Sequence, residues 1–249
     1  MHKTIIWEVI HWEKLWRKLG FPTANVSYDS NELDNSVFYI NIIIDENIYR
    51  WMWSNMVWKK TFEAHIFDFD SDIYGKIIEI VILKKVRDNK RFDSLEDLIS
   101  QIQDDKEFVQ SHELIVLTFW SFDVTHEWHS HYLMSAKKYG TKLYTIIASD
   151  ANIEKIKWRA PKHSQQQRLK EIKGLNISDK VILWSDDKPL GWIEKFSPHS
   201  ICLWYDQRWP FVDALQSEIQ RLWLSSSIVR IDAHKPEIYK SSLLKKSRN

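Results

Sequence analysis

The chain has 249 residues, enough for two ordinary domains, and its 35 basic against 34 acidic side chains leave a formal charge of +1. That balance points away from nucleic acid or an anionic membrane as partner. The single cysteine, Cys202, excludes an intramolecular disulfide and fits a reducing compartment. No stretch approaches the ~20 apolar residues of a membrane span, and the first residues lack the apolar run of a signal peptide, so a soluble cytoplasmic protein is expected.

In chain order, the first hundred residues read mainly as strands. Ser36 to Asp45 is dense in β-branched and aromatic residues and ends at an Asp45-Glu46-Asn47 turn. Thr61 to Phe69 and Lys76 to Lys84 are further β-prone runs. Leu95 to Ile102 has helical spacing, with Ser94 and Asp97 placed as a capping box in which Asp replaces Glu. A polar stretch follows, which predicts a first domain at 1–105, a linker at 106–113 and a second domain at 114–249. Beyond it strand and helix alternate. Strands are expected at Leu114–Phe119, Leu143–Ala148, Lys180–Leu183, Ile201–Leu203 and Ser227–Ile231, with helices at His129–Tyr139, Ser164–Ile172 and Val212–Leu222. Gly140 is a natural stop for the first of these helices. This order predicts βαβ units and a parallel sheet that takes ligands at the carboxyl ends of its strands.

Fourteen tryptophans accompany only five glycines, where average glycine usage would supply roughly 17. Trp51 and Trp53 flank one Met, and Trp128 stands between His126 and His129. Read as turn positions, these sites suit glycine, because Trp cannot take positive φ cheaply. One account is a gene in which UGA encodes glycine, so that most of the tryptophans are glycines in the living protein. The other is a Trp-rich chain with an unusual surface.

The most specific motif of the first half is Gly20-Phe21-Pro22-Thr23-Ala24-Asn25. It presents a hydroxyl and an amide two residues apart, oxygen donors suited to magnesium on a nucleotide phosphate. With Thr61-Phe62-Glu63, Phe67-Asp68-Phe69, Ile73-Tyr74-Gly75-Lys76, and Val86-Arg87 leading to Arg91-Phe92, residues 4–105 resemble the riboflavin kinase family. The resemblance implies a six-stranded β-barrel, Thr23 and Asn25 (with Gly20) at Mg-ATP, Glu63 as general base, and Tyr74 and Arg87 at the flavin. One departure stands out: the family's second Asn-Pro-Thr turn is reduced here to Ser54-Asn55-Met56-Val57.

In the second half, Leu117 to Leu133 reads as a strand, a loop and a helix whose N-terminus carries His126 and His129, where free N–H groups favour phosphate. A zinc site built on His126, His129 and His131 lacks supporting ligands. With Trp120 and Trp128 read as glycine, the stretch resembles the HxGH signature of the cytidylyltransferase-like nucleotidyltransferases. The match extends through Lys157-Trp158-Arg159, Gln167-Arg168, Leu203-Trp204-Tyr205-Asp206-Gln207 and Tyr239-Lys240-Ser241-Ser242. It implies a Rossmann-like domain in which His126 and His129 stabilise the triphosphate. Phe119, Lys157, Arg168, Tyr205, Asp206, Ser241 and Ser242 would line the nucleotide. Matched to both families, Trp7, Trp12, Trp16, Trp51, Trp53, Trp58, Trp120, Trp128 and Trp204 fall on glycine positions, whereas Trp192 and Trp209 have weaker motif support.

Together the two halves imply riboflavin to FMN to FAD, with ATP and Mg2+ as co-substrates and riboflavin, FMN and ATP as the small-molecule partners. Two alternatives stay open: cytidylyl transfer to an alcohol phosphate such as glycerol 3-phosphate, or a non-catalytic flavin-binding protein if the tryptophans are real.

Overall fold

β-Branched and aromatic residues in the first half form antiparallel strands, and the alternating second half forms a parallel sheet with helices. The computed structural model describes residues 3–9, 23–27, 34–56, 61–66, 75–184, 190–207 and 211–232. The chain divides into two units, Met1–Glu113 and Leu114–Asn249. No helix among the described residues is long and apolar enough to cross a membrane.

The first unit contains β1 (Lys3–Glu8), β2 (Thr23–Ser27), β3 (Ser36–Ile44), β4 (Asn47–Met56), β5 (Thr61–Ile66) and β6 (Ile77–Asp88). They pair in the order β1-β6-β3-β4-β5-β2, antiparallel throughout. β1 and β2 lie at the two ends. Among the described residues no ladder joins them, so the expected barrel is here a six-stranded sheet. Register places Asn25 opposite Glu63 and Thr23 opposite His65. β4 runs on through Ser54 to Met56, where the sequence suggests a shortened turn. The central strand β3 is buried along its whole length.

Helix α1 (Leu95–Ser111) is capped by Ser94, whose hydroxyl accepts from the Asp97 N–H at 3.1 Å. It extends well past Ile102, so residues 106–111, expected as linker, are helical. The polar composition of this stretch hid a buried face of Ile102, Asp105 and Val109, spaced three and four apart. Asp105 is 4% exposed. It takes a bidentate contact from Arg87, at 3.0 Å from Nε and 2.6 Å from Nη2, which fixes the helix to β6. Arg87, expected at the flavin, is here engaged with Asp105.

The second unit orders its parallel strands β11-β10-β7-β8-β9. These are β7 (Ile115–Trp120), β8 (Lys142–Ile147), β9 (Lys180–Leu183), β10 (Ser200–Trp204) and β11 (Ser227–Ile231). The helices are α2 (Glu127–Lys137), α3 (Asp150–Lys157), α4 (Gln165–Gly174), α5 (Gly191–Phe196) and α6 (Phe211–Arg221). The chain winds outward from β7 through β8 to β9, then returns to the other side of β7. The direction of winding therefore reverses between β7 and β10, where doubly wound sheets open a crevice. α2 ends at Lys137, before Gly140. A Cβ on Gly140 would lie 2.4 Å from the Leu114 carbonyl oxygen, so glycine is demanded by a close approach of backbone.

Among the described residues, Trp51 and Trp53 on one hand and Trp158 and Trp223 on the other sit in opposite settings. Trp51 and Trp53 are 0% and 1% exposed, two residues apart on β4 and packed in the core of the first sheet with Ile40 and Ile80. Their i, i+2 spacing is that of one face of a strand. Trp158 and Trp223 instead take φ of +55° and +53° with 93% and 94% of their surface exposed. Trp158 is the left-handed C-cap of α3, a conformation in which glycine is preferred. Trp158→Gly and Trp223→Gly should each raise the unfolding free energy by about 1 kcal/mol, whereas Trp51→Gly should lower it by about 3–5 kcal/mol. Denaturant unfolding of the three variants checks this; a loss at Trp158 would contradict the left-handed assignment.

Candidate active site at the carboxyl ends of the parallel sheet

β7 delivers the chain to the crevice, loop 121–126 turns it, and α2 carries it away with its N-terminus facing the strand ends. Gln207 spans the crevice: its Nε2 donates to the Phe119 carbonyl at 2.8 Å and its Oε1 accepts from the Trp204 N–H at 2.7 Å. One side chain thus ties β7 to β10 beyond their last ladder pair. Arg230, on β11, holds the turn after β10 by donating to the carbonyls of Trp204 at 2.9 Å and Gln207 at 2.6 Å.

Loop 121–126 is strained and tethered. Phe122 and Val124 take φ of +51° and +62°, and a β-branched residue holds such an angle only where its surroundings impose it. The tethers come from α4 and the segment before it. Arg168, 0% exposed, donates to the Ser121 carbonyl, to the His163 carbonyl at 3.1 Å, and to Asp150 Oδ1 at 2.7 Å. Asp123 Oδ1 accepts from the N–H groups of Lys162 and His163 at 2.9 and 3.1 Å. Arg168, expected at the nucleotide, is here buried and builds the loop from inside the protein.

The two histidines are brought together as expected. His126 is the N-cap of α2, and its backbone N–H donates to His129 Nδ1 at 3.2 Å, with ring centroids 4.2 Å apart. His129 is 5% exposed. Burial first, then the charges of His126 and Lys157, push its pKa down to about 3, so it is neutral at physiological pH. With Nδ1 accepting, the proton of a neutral ring belongs on Nε2, leaving one donor at a helix N-terminus. Burial also lowers the pKa of His126. Lys157 donates to Ser121 Oγ at 2.9 Å and lies 5.8 Å from the Trp120 ring. Desolvation first, then the neighbouring Arg159, holds its ammonium below the usual lysine range.

Indoles occupy the crevice. Trp204 lies 5.3 Å from Trp128 and 6.0 Å from Trp120 by ring centroid, and Tyr205 closes on Trp128 at 6.0 Å. Beside this cluster a cavity of about 310 Å³ is lined by Phe119, Trp120, Ser121, Lys157, Asp206 and Gln207, with Trp184 and Phe211 at its apolar end. Phe119, Lys157 and Asp206 thus converge as the sequence suggested, while Tyr205 packs on the indole cluster. Ser121, Thr125, Glu171 and Arg230 escaped the sequence reading, since single polar residues in a loop, helix or strand carry no spacing signal. Gly20, Tyr74, Ser241 and Ser242 lie outside the described residues, and Thr23, Asn25 and Glu63 are placed only by backbone register. Among the described residues no cluster of three or more His, Cys, Asp or Glu could hold a metal.

Comparison with known proteins follows the same division. Residues 3–112 match the riboflavin kinase family and residues 117–246 the cytidylyltransferase-like family. Over 106 residues, 39% of this chain and 45% of the relative, the chain is 41% identical to the RNA-binding riboflavin kinase RibR of Bacillus subtilis. It is 31% identical over 134 residues to an FAD synthase of Thermococcus sibiricus, covering 53% of this chain and 87% of the relative. It is 38% identical over 114 residues to a bifunctional riboflavin kinase/FMN adenylyltransferase of Buchnera aphidicola, covering 42% of this chain and 36% of the relative. The chain thus spans less than half the length of the two kinase-bearing relatives.

Because His129 is neutral when folded down to about pH 3 but takes up a proton near pH 6.5 when unfolded, the unfolded state binds the extra proton between those values. Stability should therefore fall as pH drops from 6.5, by about 1.4 kcal/mol per pH unit from this residue. His129→Asn, which keeps an acceptor near the Nδ1 position, should flatten the dependence by one proton. Denaturant unfolding of the second unit at pH 4.5, 5.5 and 7 tests it, and equal slopes would contradict the buried neutral histidine.

Proposed function

The chain belongs to the cytidylyltransferase-like family, with a riboflavin kinase-family segment ahead of it, and on that basis we propose that it converts riboflavin to FMN and FMN to FAD with two molecules of ATP. In the first reaction the riboflavin primary hydroxyl attacks the γ-phosphorus, its proton passes to the Glu63 carboxylate, and ADP leaves. Glu63 lies opposite Asn25 across the β2–β5 ladder, which is what a base beside the nucleotide phosphates requires of the backbone. Thr23 and Asn25 supply oxygen donors fit for magnesium, which would neutralise phosphate charge. Closure of the six strands into a barrel belongs to this proposal.

In the second reaction an FMN phosphate oxygen forms a bond to the α-phosphorus of ATP as the α–β bridging bond breaks and pyrophosphate leaves. The attacking oxygen is already ionised, so no base is needed; positioning and charge neutralisation suffice. The observation that carries this reading is the pair His126 and His129 at the N-terminus of α2, one nitrogen fixed as acceptor and the other left as donor. Lys157 adds a cation at the cavity, and Asp206 and Phe119 frame its interior.

Trp128 lies 5.8 Å from the His126 ring and Trp204 lies 6.4 Å from the His129 ring, with Trp120 packed against Trp204, and indoles this close to the pair by themselves favour a non-catalytic flavin binder. The left-handed, exposed Trp158 and Trp223 favour the other account: most tryptophan positions, the three in the crevice included, are glycine in the living protein. Peptide masses of protein from its source decide between them, and tryptophan at 128 and 204 would remove the catalytic reading. Given glycine there, His129→Ala should abolish FAD formation from FMN and leave FMN formation from riboflavin intact. Glu63→Gln should do the reverse, lowering kcat about 10²–10⁴-fold. FMN supplied with CTP instead of ATP should give no product; CTP-dependent transfer to glycerol 3-phosphate would replace adenylyl by cytidylyl transfer.

A further inference from the structure

We propose that Glu171 is a positioning residue for the His126–His129 pair, acting through Thr125; its catalytic consequence rests on the transfer reading above. Glu171 lies one helical turn beyond Arg168 on α4, so the two share a face of the helix. Its Oε2 accepts from Thr125 Oγ1 at 2.7 Å. Its Oε1 pairs with His163 Nδ1 at 2.8 Å and accepts from Gln167 Nε2 at 3.1 Å. The carboxylate therefore joins the loop that ends in the histidines to the segment leading into α4.

Position along the loop makes this tether different from the others. Arg168 holds Ser121 at the start and the Lys162 and His163 N–H groups hold Asp123 in the middle. Glu171 holds Thr125, the residue directly before the N-cap. His126 follows, and its N–H must point at His129 Nδ1 to keep the ring proton on Nε2. Released at Thr125, the strained Phe122–Val124 stretch has a nearby way to relax, and relaxation there would turn that N–H away. An ordinary surface polar contact would have none of these consequences, because it would bear on stability alone and weakly.

Glu171 is also the acidic group whose charge favours protonation of His129, against the opposing effects of burial, His126 and Lys157. Desolvation raises its own pKa, yet hydrogen bonds from Thr125 and Gln167 and the charge of His163 bring it below the usual carboxylate range. The group is thus ionised at neutral pH and able to accept from Thr125 throughout.

The test uses the full chain with Glu171→Ala, Glu171→Gln and Thr125→Val, read first by side-chain nitrogen NMR of His129. The unsubstituted protein should show one neutral tautomer, protonated on Nε2. Glu171→Ala and Thr125→Val should show mixed tautomers, and Glu171→Gln, which retains an acceptor for the Thr125 hydroxyl, should keep the single one. In the FMN-plus-ATP assay the first two variants should lose about 10–100-fold in kcat with little change in KM for ATP. The double variant should lose no more than either alone, and riboflavin phosphorylation should not change. A single unaltered tautomer in folded Glu171→Ala, or a Gln variant as impaired as the Ala variant, would overturn the proposal. If the unsubstituted protein transfers no nucleotide, the transfer reading fails, and the NMR comparison still decides the role of Glu171.

Discussion

A guanidinium with no exposed surface has to be paired, and the pairing of Arg168 organises the second unit. Its partners are the Asp150 carboxylate at the start of α3, the Ser121 carbonyl at the end of β7, and the His163 carbonyl before α4. Three segments distant in sequence meet at one cation because none can leave it without stranding a buried charge, a loss of about 3–5 kcal/mol. The loop after β7 therefore has a fixed starting point, and everything at the helix N-terminus is built out from it. Removing Arg168 would act on the loop first and on the chemistry only through it.

From that anchor the electrostatic design follows in order. The parallel sheet places an opening between β7 and β10, Gln207 keeps those strand ends together, and α2 begins after β7 with His126 as its N-cap, so that its positive dipole end lies on the β7 side. Burial keeps His129 neutral, so it contributes a directed donor and leaves net positive charge to Lys157. A neutral donor and a helix dipole can stabilise charge developing on a phosphate without binding the ground state indiscriminately. The first unit uses a different device, two strands in register, to bring Asn25 opposite Glu63.

Much of this architecture was legible in the sequence because it rests on periodicity. Strands at Ser36–Ile44 and Lys180–Leu183, the helix after His126 and the parallel order all follow from apolar spacing. The resemblance to the nucleotidyltransferases likewise assigned His126, His129, Lys157 and Asp206 to one site. What escaped was set by single long-range contacts. The ion pairs of Arg87 with Asp105 and of Arg168 with Asp150 carry no signal in the sequence, because neither carboxylate is near in the chain. The helical extent of 106–111 was obscured because its buried face includes the charged Asp105. Trp51 and Trp53 read as turn residues, yet strand pairing with β3 and β5 puts them in the core.

The central claim is that one chain carries two different phosphorus chemistries, γ-phosphoryl transfer in the first unit and α-phosphoryl attack in the second. Positional labelling of ATP separates them most directly. Protein from its native source is incubated with FMN and α-labelled ATP, and in a second reaction with riboflavin and γ-labelled ATP. The account predicts label in FAD in the first case and in FMN in the second. Unlabelled products in the α-label reaction, with the γ-label still entering FMN, would contradict nucleotidyl transfer at the His126–His129 site.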